Sequence, residues 1–123
     1  MAVRRGELYY VDWSPGRGSE QQGVRPALVV QNDVGNQHSP TTIVAAVSSK
    51  LGRVYPFQVS VTAEESGLTV DSIVKCEQIQ TIDQVRLGRR AGVLKPGRMG
   101  EVDRALCRSL GLEYRAEAKA GGR

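Results

Sequence analysis

Histidine occurs once in this chain of 123 residues and cysteine twice, and the two scarcities remove whole classes of chemistry. A lone His38, set in the polar stretch "NQHSP", cannot build a multi-histidine metal site or a two-histidine acid/base pair within one chain. Its expected role is solvation of a loop, with contact to a substrate as the lesser alternative. Cys76 and Cys107 are not spaced as CxxC and fall in a strand-like and a helix-like context, so both read as small buried hydrophobes. Aromatic residues make up only 5% of the chain, which leaves Tyr9, Tyr10, Trp13 and Phe57 as strand or core residues. A base-stacking platform at Trp13 or Tyr55 is the secondary alternative. No apolar run approaches the roughly 18 residues of a membrane span, and "MAVRRGELYY" carries basic residues with no apolar signal core behind them. A cytosolic protein with no membrane partner is expected. Also missing are GxxxxGK[ST], GxGxxG and GxSxG, which argues against nucleoside-triphosphate binding and against a serine-hydrolase elbow.

What is present fits one domain with one modest core, since 40% of the residues are hydrophobic. A net charge of +4 is too mild for a protein that coats DNA, yet it suits a local phosphate-binding surface. Short β-branched runs are separated by glycine and proline, the pattern of a small barrel or sandwich. "ELYYVDW" (7–13), "PALVVQN" (26–32), "TTIVAAVSS" (41–49) and "FQVSV" (57–61) read as strands, and "SIVKCEQIQTID" (72–83) as one or two more. The second and third of these runs are apolar enough to be buried on both faces. Pro26 fits at a strand's first residue, where its missing N–H is tolerated. "SPGRGSEQQG" and "QNDVGNQHSP" read as loops. Beyond "KPG", Met99, Val102, Leu106 and Leu110, with Ala105 between, recur at helical steps, and Gly111 is a plausible stop. The expected architecture is mainly β: one small antiparallel barrel over residues 1–112 with a C-terminal helix, then a polar, frayed tail at 113–123.

Loops gathered at one end of such a barrel would collect Ser19, Glu20, Arg25, Ser48, Gln78, Asp83 and Arg86. Each has an ordinary alternative, because an arginine before a strand is commonly a surface charge and a serine at a strand end a turn former. Taken together, "RRGELYYVDWSPGRGSEQQGVRPALVVQND", "TTIVAAVSSK", "DSIVKCEQIQTIDQVRLGRR" and "EVDRALCRSLGL" stand in the order and approximate spacing of the MazF/PemK toxins, which the chain resembles from about residue 4 to residue 112.

That resemblance implies an SH3-like barrel of the kind shared with CcdB toxins, forming a homodimer. It implies a metal-independent endoribonuclease that needs no cofactor, cuts single-stranded RNA at short sequences, and is silenced by a cognate MazE-like antitoxin. The family's catalytic arginine falls on Arg25 and its catalytic threonine on Ser48, a departure that keeps the hydroxyl and loses the methyl restraining its rotamer. Its groove-lining loop residues match Ser19, Glu20 and Gln22, and its "EQI-TID" segment matches Glu77, Gln78 and Asp83. Gln80 stands where many members have arginine.

Such an enzyme need only align the 2′-hydroxyl, stabilise the charge on phosphorus and protonate the departing 5′-oxygen. Arg25 suits the charge, since a guanidinium stays protonated and offers parallel donors. Ser48 would add a hydrogen bond. The base is open: Glu20 is easier on acidity than arginine, and Ser19 is a supporting candidate. Base edges would be read by Gln22, Asn32, Gln37, Glu77 and Gln78. Two other classes remain as alternatives, a CcdB-like protein that binds DNA gyrase and cleaves nothing, and a non-catalytic RNA-binding barrel.

Overall fold

The computed structural model describes residues 2–13, 23–50 and 52–115. Six strands form one antiparallel sheet in the order β4-β5-β3-β2-β1-β6. They are β1 (Glu7–Asp12), β2 (Val24–Val29), β3 (Thr41–Ser49), β4 (Gln58–Val61), β5 (Ser72–Asp83) and β6 (Leu87–Val93). Helices α1 (Asp33–His38) and α2 (Ala63–Ser66) interrupt the strands, a single 3-10 turn joins β5 to β6, and α3 (Pro96–Leu110) ends the described fold.

Residue alternation along the central strands explains the two-sided core. Leu8, Leu28, Ala45, Val47 and Val74 turn to one face and pack with Met99, Val102 and Ala105 of α3. Tyr9, Val11, Ala27, Val29, Val44 and Ala46 turn to the other, with Trp13 and Ile82. That period of two, with both faces apolar, is why "PALVV" and "TTIVAAV" read as continuous hydrophobic runs. Leu106 is half-buried against the first cluster, whereas Leu110 at the helix end is 53% exposed. Gly111 adopts φ 71° and donates its N–H to the Cys107 carbonyl, the left-handed stop expected there.

The sheet's outer strands approach each other through α2. The turn after β4 carries a capping box, Thr62 with Glu65, and ends at Gly67 with φ 79°. Gly67 packs so tightly on β6 that a Cβ would stand 2.1 Å from the Ala91 carbonyl oxygen. A helix attached to one edge strand thus seats on the opposite edge, and the sheet rolls toward a barrel.

The structure departs from the sequence expectations at residues 33–38, at Pro26, at α2 and at β6. Residues 33–38 are a short helix where a loop was expected, because the Asn32 side chain accepts the Gly35 N–H at 2.8 Å and Asn36 is buried on Thr42. His38 therefore ends a helix. Pro26 is the third residue of β2, two positions inside its start, and stands opposite Tyr10; β3 pairs with β2 only from Ala27 onward, so no bond to β3 is lost. Within the one or two strands expected there, "SIVKCEQIQTID" is one strand of 12 residues, bent where Cys76, Glu77 and Gln78 bulge between the Ala45–Ile79 and Ala46–Lys75 pairs. Strand β6 was not anticipated. No helix among the described residues is long and apolar enough to cross a membrane.

Candidate active site

Strand β2 begins after Gly23, whose φ of 73° turns the chain and whose carbonyl accepts the Trp13 N–H at 2.9 Å. The Trp13 indole N–H reaches the Arg25 carbonyl at 3.3 Å, so the backbone of Arg25 is held while its side chain stays exposed. The β2–β3 ladder pairs Val29 with Val44, Leu28 with Ala45 and Ala27 with Ala46, and then stops. Continuing that register by two residues sets Arg25 opposite Ser48. Both line one cavity of about 190 Å³ where the strands part.

Tyr10 and Pro26 form one side of this cavity, and the α2–β5 turn, with Thr69 and Val70, forms another. Ser72 closes it from β5 with its hydroxyl already donated to the Val70 carbonyl at 2.9 Å. Thr69 and Ser49 bring two hydroxyls that sequence reasoning missed. Ser49 follows Ser48 in "TTIVAAVSSK", whereas Thr69 stands in no such block and reaches the site through the packing of α2. A second cavity of about 500 Å³ adjoins the first, lined by Tyr10, Asp12, Val24, Arg86, Gly88 and Arg89. Tyr10 and Val24 belong to both walls.

Among the expected site residues, Arg25 and Ser48 share the first cavity and Arg86 lines the second, where its guanidinium donates to the Asp12 carbonyl at 2.6 Å. Ser19, Glu20 and Gln22 lie outside the described residues, and so does most of the loop "SPGRGSEQQG". The other five line neither cavity. Asn32 caps α1, Gln37 is exposed on that helix, and Asp83 precedes the 3-10 turn with no capping bond from its side chain. Glu77 and Gln78 lie in the bulge of β5, with the Glu77 carboxylate accepting from the Gln58 amide at 2.9 Å.

The chemistry of the first cavity is that of an anion site with hydroxyl donors. Among the described residues, Arg25, Arg86 and Arg89 gather around the two cavities against one lining carboxylate, Asp12. Among the described residues no three His, Cys, Asp or Glu cluster as metal ligands. Tyr55, offered as a stacking platform, lies parallel to Phe57 with ring centroids 5.5 Å apart and the Arg53 guanidinium 5.2 Å from its ring, and it lines neither cavity.

Comparison with known proteins bears on the family and the fold. The family described as PemK-like, MazF-like toxins of type II toxin–antitoxin systems matches residues 4–110. Among solved structures, an endoribonuclease from a mycobacterial species is 25% identical, with a TM-score of 0.76 over 94% of this chain and 97% of that one. MazF from Deinococcus radiodurans is 26% identical, with a TM-score of 0.75 over 91% of this chain and 99% of that one. A mycobacterial endoribonuclease solved in complex with its cognate antitoxin shares the fold at 24% identity, with a TM-score of 0.77 over 93% and 100% of the two chains.

Proposed function

The chain belongs to the PemK-like, MazF-like toxins of type II toxin–antitoxin systems as an endoribonuclease of that family, and we propose that it cuts single-stranded RNA by internal attack of the 2′-hydroxyl, without a metal or cofactor. The observation that supports this most is the placing of Arg25 and Ser48 opposite each other at one cavity, where strands β2 and β3 part.

In the proposed reaction the 2′-oxygen bonds to phosphorus as its proton leaves to a base, and the bond from phosphorus to the 5′-oxygen breaks as that oxygen takes a proton. The products are a 2′,3′-cyclic phosphate and a 5′-hydroxyl. Between them the phosphoryl oxygens carry extra negative charge. The Arg25 guanidinium opposes that charge with parallel N–H donors, and the Ser48 hydroxyl adds another. RNA specificity comes from splayed bases read by amides and carboxylates, the role proposed for Gln22, Asn32, Gln37, Glu77 and Gln78, with Asp83 and Arg86 supporting the strand.

The protein acts as a homodimer, and a MazE-like antitoxin silences it by laying an acidic segment over the same basic surface, since RNA phosphates and acidic peptide answer to one positive field. The test is incubation of a long unstructured RNA with wild type and Arg25→Ala in excess EDTA, followed by mapping of cuts and analysis of ends. Discrete cuts by wild type, with cyclic phosphate ends and a loss of about 100-fold to 1,000-fold in Arg25→Ala, are expected. Equal cutting by the variant, or ends bearing a 5′-phosphate, overturns the mechanism.

A further inference from the structure

Strand β6 carries consecutive arginines with opposite fates. Arg90 pairs with the buried carboxylate of Glu7 at 3.2 Å. Arg89 lies instead over the Tyr10 ring, its guanidinium carbon 4.7 Å from the centroid, and among the described residues it has no carboxylate partner. A β-bulge produces this difference. Strand β1 pairs Tyr9 with Arg90 and Val11 with Leu87, so Gly88 and Arg89 together stand opposite Tyr10 alone. Such a bulge re-aims a side chain, and at this one the backbones approach so closely that a Cβ on Gly88 would stand 2.8 Å from the Tyr10 carbonyl oxygen. Glycine is what the close approach accepts.

The re-aimed arginine borders the cavity of about 500 Å³ that shares Tyr10 and Val24 with the Arg25–Ser48 cavity. Tyr10 is a strand residue packed on the core, as expected, and it also lines both cavities. Arg86 lines the second cavity too, and its hydrogen bond to the Asp12 backbone leaves its charge in place. Among the described residues, two guanidiniums against the Asp12 carboxylate give the lining a net positive charge. An aromatic face holds the Arg89 cation with its N–H donors still available around the rim.

Building on the ribonuclease reading, we propose that this second cavity is the subsite for an RNA phosphate flanking the scissile one, with Arg89 as its principal ligand. A strand with its scissile phosphate at Arg25 would cross Tyr10 and deliver its neighbouring nucleotide to Arg89. The subsite would fix the register of the chain on the enzyme without reading a base, as backbone contacts do.

The experiment uses a short RNA containing one mapped cut site, with single uncharged methylphosphonate linkages placed in turn on each side of the cut. Wild type, Arg89→Gln and Arg89→Lys are compared for KM, kcat and the salt dependence of KM. One flanking linkage should weaken the wild type about tenfold, chiefly in KM, and the same linkage should cause no further loss in Arg89→Gln. The slope of log KM against log salt should fall by about 0.7 in Arg89→Gln, the value for one phosphate contact to a single strand, and recover in Arg89→Lys. Because Arg89 is exposed on an edge strand, the substitutions should leave the melting temperature near wild type. If every linkage weakens wild type and Arg89→Gln alike and the slope is unchanged, the subsite is wrong while the ribonuclease reading stands. If wild type cuts no RNA, the ribonuclease reading falls and the subsite with it.

Discussion

Gly92 meets the turn after α2 backbone to backbone, so that a Cβ on it would stand 2.3 Å from the Ser66 carbonyl oxygen. This contact, with its neighbour at Gly67, is where the α2 turn closes against β6. Gly92→Ala must push the two backbones apart, and forced overpacking of this kind lowers stability by about 1–3 kcal/mol. For a domain of this size that corresponds to a fall of roughly 5–15 °C in Tm, read by thermal unfolding. An unchanged Tm would mean that the α2 turn yields freely and does not hold the barrel closed.

Glu65 and Arg98 fasten the same turn to α3. The Arg98 guanidinium donates to the two Glu65 carboxylate oxygens at 2.9 and 3.2 Å, and the Thr62 N–H donates to one of them at 2.7 Å. The Arg98 bond foremost, then the Thr62 backbone bond, holds the Glu65 carboxyl below its ordinary value of 4.5. A carboxyl depressed in the folded state adds stability that is fully present above its unfolded value and drains away as pH falls through the folded one. Glu65→Gln is therefore expected to lower the stability read from urea unfolding at pH 7 modestly, by about 1 kcal/mol or less for a pair still partly open to solvent, and to converge on wild type in acid. A gap that stays constant down to about pH 3 would assign the effect to packing.

The two cysteines, alike in the sequence reading, differ in the fold. Cys76 is wholly buried, and burial first, then the nearby Glu77 charge, pushes its thiol up to about 12. Cys107 is half-buried on α3, and both thiols are free. Since the thiolate is the nucleophile, a disulfide reagent at neutral pH should consume one thiol per native chain and the second only on unfolding. Two equivalents consumed by folded protein would show that β5 opens readily around its bulge.

The legible parts of the fold were those in which local pattern and tertiary demand agree. "TTIVAAVSS" is strand β3 from end to end, and Met99, Val102 and Ala105 are buried on α3 as their spacing required. Helix α2 had a signature in Thr62 and Glu65, three residues apart, that went unused. Strand β6, "LGRRAGV", has no alternation and two glycines, and only its ladder with β1 makes it a strand. Site legibility followed the same division. Arg25 and Ser48 were expected at the site through family resemblance, and strands β2 and β3 bring both to the lining of one cavity. Arg89 and Tyr10 depend on a bulge, a property of two strands together that neither strand's sequence states.

Ser48 offers the sharpest test of how the first cavity works. It is half-buried at the end of β3, opposite Arg25, where the family resemblance expects threonine. Ser48→Ala removes a donor to a phosphoryl group whose charge grows in the transition state, and a hydrogen bond to a charged group is worth about 1.5–3 kcal/mol. A fall of roughly 10-fold to 100-fold in kcat, with little change in KM, is the signature of a bond made chiefly in the transition state. Ser48→Thr keeps the hydroxyl and adds a methyl that restricts χ1, so it should equal or exceed wild type in kcat. Loss of activity in Ser48→Thr would mean that the cavity is shaped around the smaller side chain. Equal losses in kcat and kcat/KM for Ser48→Ala, recovered in Ser48→Thr, would place the hydroxyl itself on the reacting phosphate. A rise in KM alone would assign it to holding the RNA and leave the developing charge to Arg25 and the other lining donors.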